Sequence, residues 1–207
     1  MAVKIKICGI NNLEDALFSV KEGADALGFI FYPQSKRSVS PKEAKSIVKK
    51  LPCFVSKVGV FVDEPKDKVL RIADYVGLDT LQFHGKESPQ YCKQFQKRFK
   101  VIKTFFTNTV RLPSLVSKYE VNGYLLDISL EEKEFYPQAA LDFQLLKRLK
   151  PYFKLLILSG GLTPDNVGYL VKRFKPYAVD VARGVERQPG KKDKKLIRKF
   201  IREVKGV

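Results

Sequence analysis

The sequence predicts an α/β protein, a single-domain (β/α)8 TIM barrel over residues 1–207. Three observations predict it. Eight short apolar runs alternate with eight helical stretches, the pattern of repeated strand–helix units and a parallel sheet. The spacing is roughly 26 residues per unit, close to the minimum for a strand, a helix and two tight loops. Reactive side chains and glycines gather where the strands end, the face on which such barrels carry their sites. An open doubly wound sheet has the same alternation and differs in leaving its first and last strands unpaired.

In order, the strand-like runs are Val3–Cys8, Ala26–Phe31, Ser56–Val62, Thr80–Phe83, Val101–Phe105, Tyr124–Ile128, Leu155–Leu158 and Ala178–Val181. The helical stretches are Leu13–Lys21, Pro41–Lys50, Pro65–Tyr75, Pro89–Arg98, a weaker one at Arg111–Tyr119, Phe143–Lys150, Pro164–Phe174 and Lys194–Lys205. Several helix starts are marked independently of the apolar pattern. Ser40-Pro41-Lys42-Glu43 reads as a capping box with proline at the first helical position. Ser88-Pro89 and Thr163-Pro164 repeat the cap-then-proline arrangement, and Asn12 with Asp15 forms a further start.

Composition narrows the function classes. Hydrophobic residues make up 44% of the chain, with 15 Phe and 9 Tyr, enough to fill a core and to exclude disorder. The cysteines, Cys8, Cys53 and Cys92, form no CxxC, and there is one histidine, which argues against a disulfide framework and a metal site. The start of the chain does not read as a signal peptide, and no apolar window has membrane-spanning length. A cytoplasmic protein is expected.

Lys and Arg number 39 against 22 Asp and Glu, a net charge of +17, which attracts polyanions or steers anionic substrates. Basic residues concentrate near the end, yet Leu196, Ile197, Phe200, Ile201 and Val204 recur there at helical spacing. That segment is an amphipathic helix whose outer face is either solvated or a polyanion-binding surface.

Two loops suit a phosphate. Ser159-Gly160-Gly161-Leu162-Thr163-Pro164 sets two glycines between a strand and a helix, where free N–H groups and the helix dipole favour an anion. Asp180-Val181-Ala182-Arg183-Gly184-Val185 offers a second loop, with Arg183 to add charge-assisted hydrogen bonds. Loops after strands seven and eight are the usual phosphate site of this fold; the competing reading is that Gly160, Gly161 and Gly184 merely make tight turns. Neither a GxxxxGK(S/T) loop nor a GxGxxG is present.

Cys8 ends the first strand, with Gly9 leaving room beside it. Nearby positive charge would make its thiol a useful base; otherwise it is a small core residue. Cys53 and Cys92 read as packing or incidental thiols. Asp127 closes a strongly apolar run, where a carboxylate serves either as a general acid of raised pKa or as an acceptor of loop N–H groups. Arg37 follows the second strand and either clamps an anionic ring substituent or lies on the surface. His84 follows the fourth strand and either orients a ligand or braces a loop; alone it makes no triad.

Taken together, VKIKICGIN (Val3–Asn11), ADALGFIFYPQSKRSVS (Ala24–Ser40), VGVFV (Val58–Val62), LQFHG (Leu81–Gly85), LLD (Leu125–Asp127), LSGGLTPDNV (Leu158–Val167) and YAVDVARGVERQPGKK (Tyr177–Lys192) resemble the phosphoribosylanthranilate isomerase family over essentially the whole chain. KICG, LSGGL and PGKK in this order carry the specificity. The resemblance implies a (β/α)8 barrel of tryptophan biosynthesis that performs an Amadori rearrangement on a small phosphosugar without a cofactor. It implies Cys8 as general base, Asp127 as general acid and Arg37 on the anthranilate side. His84, Gly160, Gly161, Arg183 and Gly184 complete the expected substrate-binding set. Monomers and dimers both occur in the family, so a monomer or homodimer is implied.

The chain also departs from the family. Members generally carry a GGSG- or GGTG-type segment after the Asp of strand six; here Ile128–Ala140 (ISLEEKEFYPQAA) has no glycine. After strand eight a Ser-Gly type arrangement is replaced by Ala182-Arg183-Gly184. Lost backbone freedom bears on phosphate affinity, and Arg183 offers an electrostatic substitute. Two alternatives stand beside the isomerase. One is a related phosphosugar isomerase or epimerase with a changed substrate. The other is a basic nucleic-acid-binding protein, disfavoured because no recognised reading motif is present.

Overall fold

Strands covered on both faces read as largely apolar runs, and the eight main strands do so apart from buried polar residues such as Lys6, Gln82, Lys103 and Asp180. The strands are β1 (Lys4–Cys8), β2 (Ala26–Ile30), β3 (Ser56–Phe61), β4 (Thr80–Phe83), β5 (Lys100–Phe106), β6 (Gly123–Asp127), β7 (Leu156–Leu158) and β8 (Ala178–Val181). The structure, a computed structural model, describes residues 2–109, 111–127, 150–153 and 155–206. The eight strands pair in chain order, all parallel, and β1 closes onto β8 with Lys4 opposite Ala178 and Lys6 opposite Asp180. This closure is the feature that separates a barrel from the open sheet.

Seven α-helices are seen among the described residues: α1 (Leu13–Glu22), α2 (Pro41–Val48), α3 (Lys66–Val76), α4 (Pro89–Lys93), α5 (Leu112–Val116), α6 (Val167–Phe174) and α7 (Lys194–Lys205). The predicted helix Phe143–Lys150 lies outside the described residues except for Lys150, which opens a 3-10 turn, Lys150–Tyr152. Ile128 and the glycine-free segment to Ala140 also lie outside them. Among the described residues no helix is long and apolar enough to cross a membrane.

Three of the four predicted capping signals act as their chemistry requires. The Ser40 hydroxyl accepts from the Glu43 N–H at 3.2 Å while the Glu43 carboxylate accepts from the Ser40 N–H at 3.1 Å, a reciprocal capping box. Asn12 accepts from the Asp15 N–H at 2.9 Å, and Ser88 from the Tyr91 N–H at 3.1 Å. Several predicted helices are shorter than their patterns: Arg111–Tyr119 forms only Leu112–Val116, Pro41–Lys50 ends at Val48, and two others show why. Beyond Lys93 the backbone tightens into bonds three residues apart, from Gln94 to Tyr91, Phe95 to Cys92 and Gln96 to Lys93, and Phe95 is thereby buried. Thr163-Pro164 does not open α6; the helix starts at Val167, and the three residues before it belong to the loop that follows β7.

The core has two compartments. Between barrel and helices, Phe29, Phe61, Phe83, Phe95 and Phe200 are fully buried, with the Phe83 and Phe95 rings 5.0 Å apart. Inside the barrel a separate apolar plug of Leu125, Ile157 and Ala178 packs with Ile102. Strand alternation places the next inward residues two positions on, and these are polar: Asp127 follows Leu125 and Asp180 follows Ala178. The barrel is thus sealed below and polar toward the C-terminal ends of its strands.

Helix α7 buries Ile197, Phe200, Ile201 and Val204. On its outer face Lys194 pairs with Glu14, Arg198 with Glu22 at 2.9 Å and Lys199 with Asp165 at 2.5 Å. Acidic neighbours therefore occupy three cations of the basic segment, which favours the solvated face over a polyanion-binding one. After β8 a short antiparallel hairpin, β9 (Glu186–Gln188) and β10 (Lys191–Lys192), turns at Gly190, whose φ of +79° is the left-handed conformation glycine adopts without strain. No apolar alternation announces this hairpin in the sequence.

Candidate active site

Alternation along β1 sends Ile5 and Ile7 into the outer core and Lys6 and Cys8 into the barrel. Cys8 is buried opposite Gly28 on β2, its register partner. A Cβ on Gly28 would stand 2.7 Å from the Cys8 Sγ and 3.0 Å from the Lys6 Cε, so the missing side chain is the space these two groups occupy. The Lys6 ammonium donates to Asp180 Oδ1 at 2.9 Å, and its charge also acts on the Cys8 sulfur.

Burial pushes the Cys8 thiol up, and the Lys6 ammonium is the largest influence pulling the other way, with Lys192 adding to it. The expected cations are therefore present, but desolvation outweighs them. Burial also works against the Lys6 ammonium; there the Asp180 carboxylate and the Cys8 sulfur win, and its pKa lies above that of an ordinary lysine. Of the other thiols, Cys53 is exposed, and burial pushes Cys92 up to about 12, consistent with a packing role.

Asp127 ends β6 and is buried. His84, just beyond β4, places Nε2 3.6 Å from Asp127 Oδ2. Its Nδ1 lies 3.1 Å from the Gln82 Nε2 and 3.1 Å from the Thr104 hydroxyl. With the Gln82 amide donating to Nδ1, the neutral ring carries its proton on Nε2, facing the carboxylate. The loops that hold His84 are fixed by a buried pair, Lys103 and Glu87 at 3.0 Å, whose carboxylate also accepts from the Asp63 N–H at 2.9 Å and the Gly85 N–H at 3.0 Å. His84 thus faces Asp127 with its ring held from behind by Gln82 and Thr104.

Arg37 lies in the loop after β2, and its stem crosses Gly9, where a Cβ would come within 2.9 Å of the Arg37 Cδ. The room beside Cys8 is filled by the arginine. Its Nε and Nη2 donate to the Glu186 carboxylate at 2.9 and 2.7 Å. Glu186 also accepts from Lys192 Nζ at 2.9 Å, and that ammonium donates to the Cys8 carbonyl at 2.6 Å and the Ala182 carbonyl at 3.1 Å.

The two glycine loops touch. Gly160 and Gly161 take φ values of +87° and +69°, and an added Cβ on Gly184 would lie 1.8 Å from the Leu162 carbonyl oxygen. Gly184 therefore serves the close approach of the loops. Asn166 stitches the first loop, accepting from the Thr163 N–H and donating to the Gly161 carbonyl, both at 2.9 Å. Among the described residues nothing accepts from the N–H groups of Gly160, Gly161 and Leu162, which lie just ahead of the N-terminus of α6. Arg183 is exposed beside them.

All the sequence-predicted site residues thus come to one end of the barrel. The sequence analysis missed Lys6, Asp180, Glu186 and Lys192. Lys6 and Asp180 each interrupt an apolar strand at an inward position, a signal visible once the inward parity is known. Glu186 and Lys192 depend on the hairpin and left no periodic trace. Among the described residues no group of three or more His, Cys, Asp or Glu is arranged to hold a metal ion.

A closed (β/α)8 barrel with a thiol, a carboxylate and two adjoining glycine loops at its C-terminal mouth defines an enzyme of the barrel class. The chain matches the model of the N-(5'phosphoribosyl)anthranilate (PRA) isomerase family over residues 5–203, and it belongs to that family. The N-(5'-phosphoribosyl)anthranilate isomerase of Thermotoga petrophila is 45% identical over 205 residues, covering 99% of this chain and 100% of the relative. The crystal structure of phosphoribosyl anthranilate isomerase from Thermotoga maritima superposes with a TM-score of 0.91 at 45% identity, over 99% of this chain and 100% of that one. A second phosphoribosyl anthranilate isomerase structure, in complex with reduced 1-(o-carboxyphenylamino)-1-deoxyribulose 5-phosphate, gives 0.88 at 44% identity over 99% and 100% of the two chains.

Proposed function

We propose that the chain converts N-(5-phosphoribosyl)anthranilate to 1-(2-carboxyphenylamino)-1-deoxyribulose 5-phosphate by an Amadori rearrangement, with Asp127 as general acid and Cys8 as general base. One observation carries the reading. In the ring of strands, β7 and β8 with their glycine loops lie between β6, which ends in Asp127, and β1, which ends in Cys8. A sugar phosphate anchored on those loops is flanked by an acid on one side and a base on the other.

The acid form of Asp127 gives its proton to the furanose ring oxygen as the bond from that oxygen to C1 breaks, leaving an iminium between C1 and the anthranilate nitrogen. The Cys8 thiolate then takes the proton from C2, and the electron pair moves to neutralise the iminium as an enolamine. Tautomerisation gives the C2 ketone. His84 faces the carboxyl of Asp127, and the Lys6 ammonium stabilises the thiolate that burial alone disfavours. Arg37 meets the anthranilate carboxylate, and the N–H groups of Gly160 and Gly161 with Arg183 meet the phosphate.

Anthranilate fluorescence decay with freshly made substrate tests the activity. Rapid decay by the purified protein is expected; a folded protein that leaves the substrate's decay at the uncatalysed rate rejects the isomerase and moves the search to another phosphosugar or to polyanions. The loops give a second expectation. In Gly184→Ala the new methyl meets a carbonyl that neighbouring side chains cannot relieve, so the loops must part, at a stability cost of about 1–3 kcal/mol. KM should rise about tenfold or more while kcat changes less, and inorganic phosphate should lose its competitive inhibition. An unchanged KM would show that the loop contact does not shape the phosphate site.

A further inference from the structure

We propose that Glu186 is a positioning residue that acts through Arg37, holding its guanidinium at the mouth of the barrel so that the anionic ring substituent of the substrate meets a cation already in place. The inference rests on the isomerase reading and adds to it the residue that sets substrate orientation.

The carboxylate is built into the protein while the guanidinium opens outward: the side chain of Glu186 is 3% exposed and that of Arg37 22%. The contact is a fork, Nε and Nη2 of Arg37 on the two Glu186 oxygens, which fixes the plane of the guanidinium as well as its position. Among the described residues nothing accepts from Nη1, so the fork leaves that end for a ligand.

Glu186 is itself held. Lys192, with a fully buried side chain, has three donors and uses them on Glu186, the Cys8 carbonyl and the Ala182 carbonyl. Its backbone N–H is anchored on Asp15 at 3.1 Å, and the hairpin turn at Gly190 sits where a Cβ would be 3.1 Å from the Lys36 carbonyl, against the segment that carries Arg37. Burial would raise the Glu186 carboxyl, but Arg37 and Lys192 outweigh it and keep it below the usual carboxylate range. The three groups therefore sum to one positive charge, presented on Arg37, the member that reaches solvent.

A clasp that only tied the hairpin to the barrel would have the same contacts, so the test must separate the two roles. KM and kcat for the phosphoribosylanthranilate substrate are measured in the wild type, Glu186→Gln, Arg37→Met and the double variant. We expect Glu186→Gln to raise KM about tenfold with kcat within about threefold, and to add nothing once Arg37 is Met. Effects that multiply in the double variant, or a fall in kcat at unchanged KM, would overturn the positioning role while leaving the isomerase intact. Absence of turnover in the wild type would instead overturn the isomerase reading, and this one with it. Loss of the counter-charge to Lys192 endangers folding of Glu186→Gln; Glu186→Asp, which keeps the charge and withdraws it by one methylene, then replaces it in the same cycle and is read by the same criteria.

Discussion

Asp127→Asn is expected to lower kcat about a thousandfold, and Cys8→Ser by at least as much, with both proteins folded. Asparagine keeps the shape of the buried side chain at the end of β6 and can accept or donate hydrogen bonds, but it has no acidic proton to give the ring oxygen. Serine is smaller than cysteine and fits beneath Gly28, so the barrel is undisturbed, yet its hydroxyl does not ionise at working pH. The pH profile carries the sign. Because burial holds the Cys8 thiol above its ordinary value, the thiolate fraction grows as pH rises, and kcat/KM of the wild type should climb with it over the range in which Asp127 keeps the proton it must donate. That rising limb should be absent from whatever activity Cys8→Ser retains. Either variant within tenfold of the wild type would remove its residue from the proton-transfer steps.

The barrel was readable because two periodicities alternate, and because caps such as Ser40 with Glu43 act locally, independent of the rest of the fold. The boundaries that moved did so where tertiary contacts overrode local pattern. Thr163-Pro164 has the chemistry of a helix start, but Asn166 ties those residues into the loop after β7 and the helix waits for Val167. Cys8, Asp127 and Arg37 could be read as site candidates because the strand ends of a barrel gather on one face. Their partners could not. The polar side chains of Lys6 and Asp180 stand 174 positions apart and meet only because β1 closes onto β8, and Glu186 reaches Arg37 only through a hairpin with no apolar pattern to betray it. A buried charge is legible in one dimension as an anomaly; its counter-charge emerges from the topology.

Lys6→Met should lower kcat/KM about a hundredfold at neutral pH and move the rising limb of the profile further to the alkaline side. The Lys6 ammonium is the strongest influence opposing the burial of Cys8, so removing it raises the thiol again and cuts the thiolate fraction at any fixed pH. Activity should then recover in part as pH rises. The same substitution strands the buried Asp180 carboxylate, which costs about 3–5 kcal/mol when one partner of such a pair is removed. A drop in activity from partial unfolding would imitate the electrostatic effect, and the double variant Lys6→Met with Asp180→Asn separates them. It removes the stranded charge and should regain most of the lost thermal stability, but it still lacks the ammonium beside Cys8, so the shifted limb should persist. Lys6→Arg, which keeps a cation in the barrel, should hold the limb closer to that of the wild type. A profile unchanged in Lys6→Met would mean that the thiolate draws its stabilisation from the bound substrate rather than from the barrel beneath it.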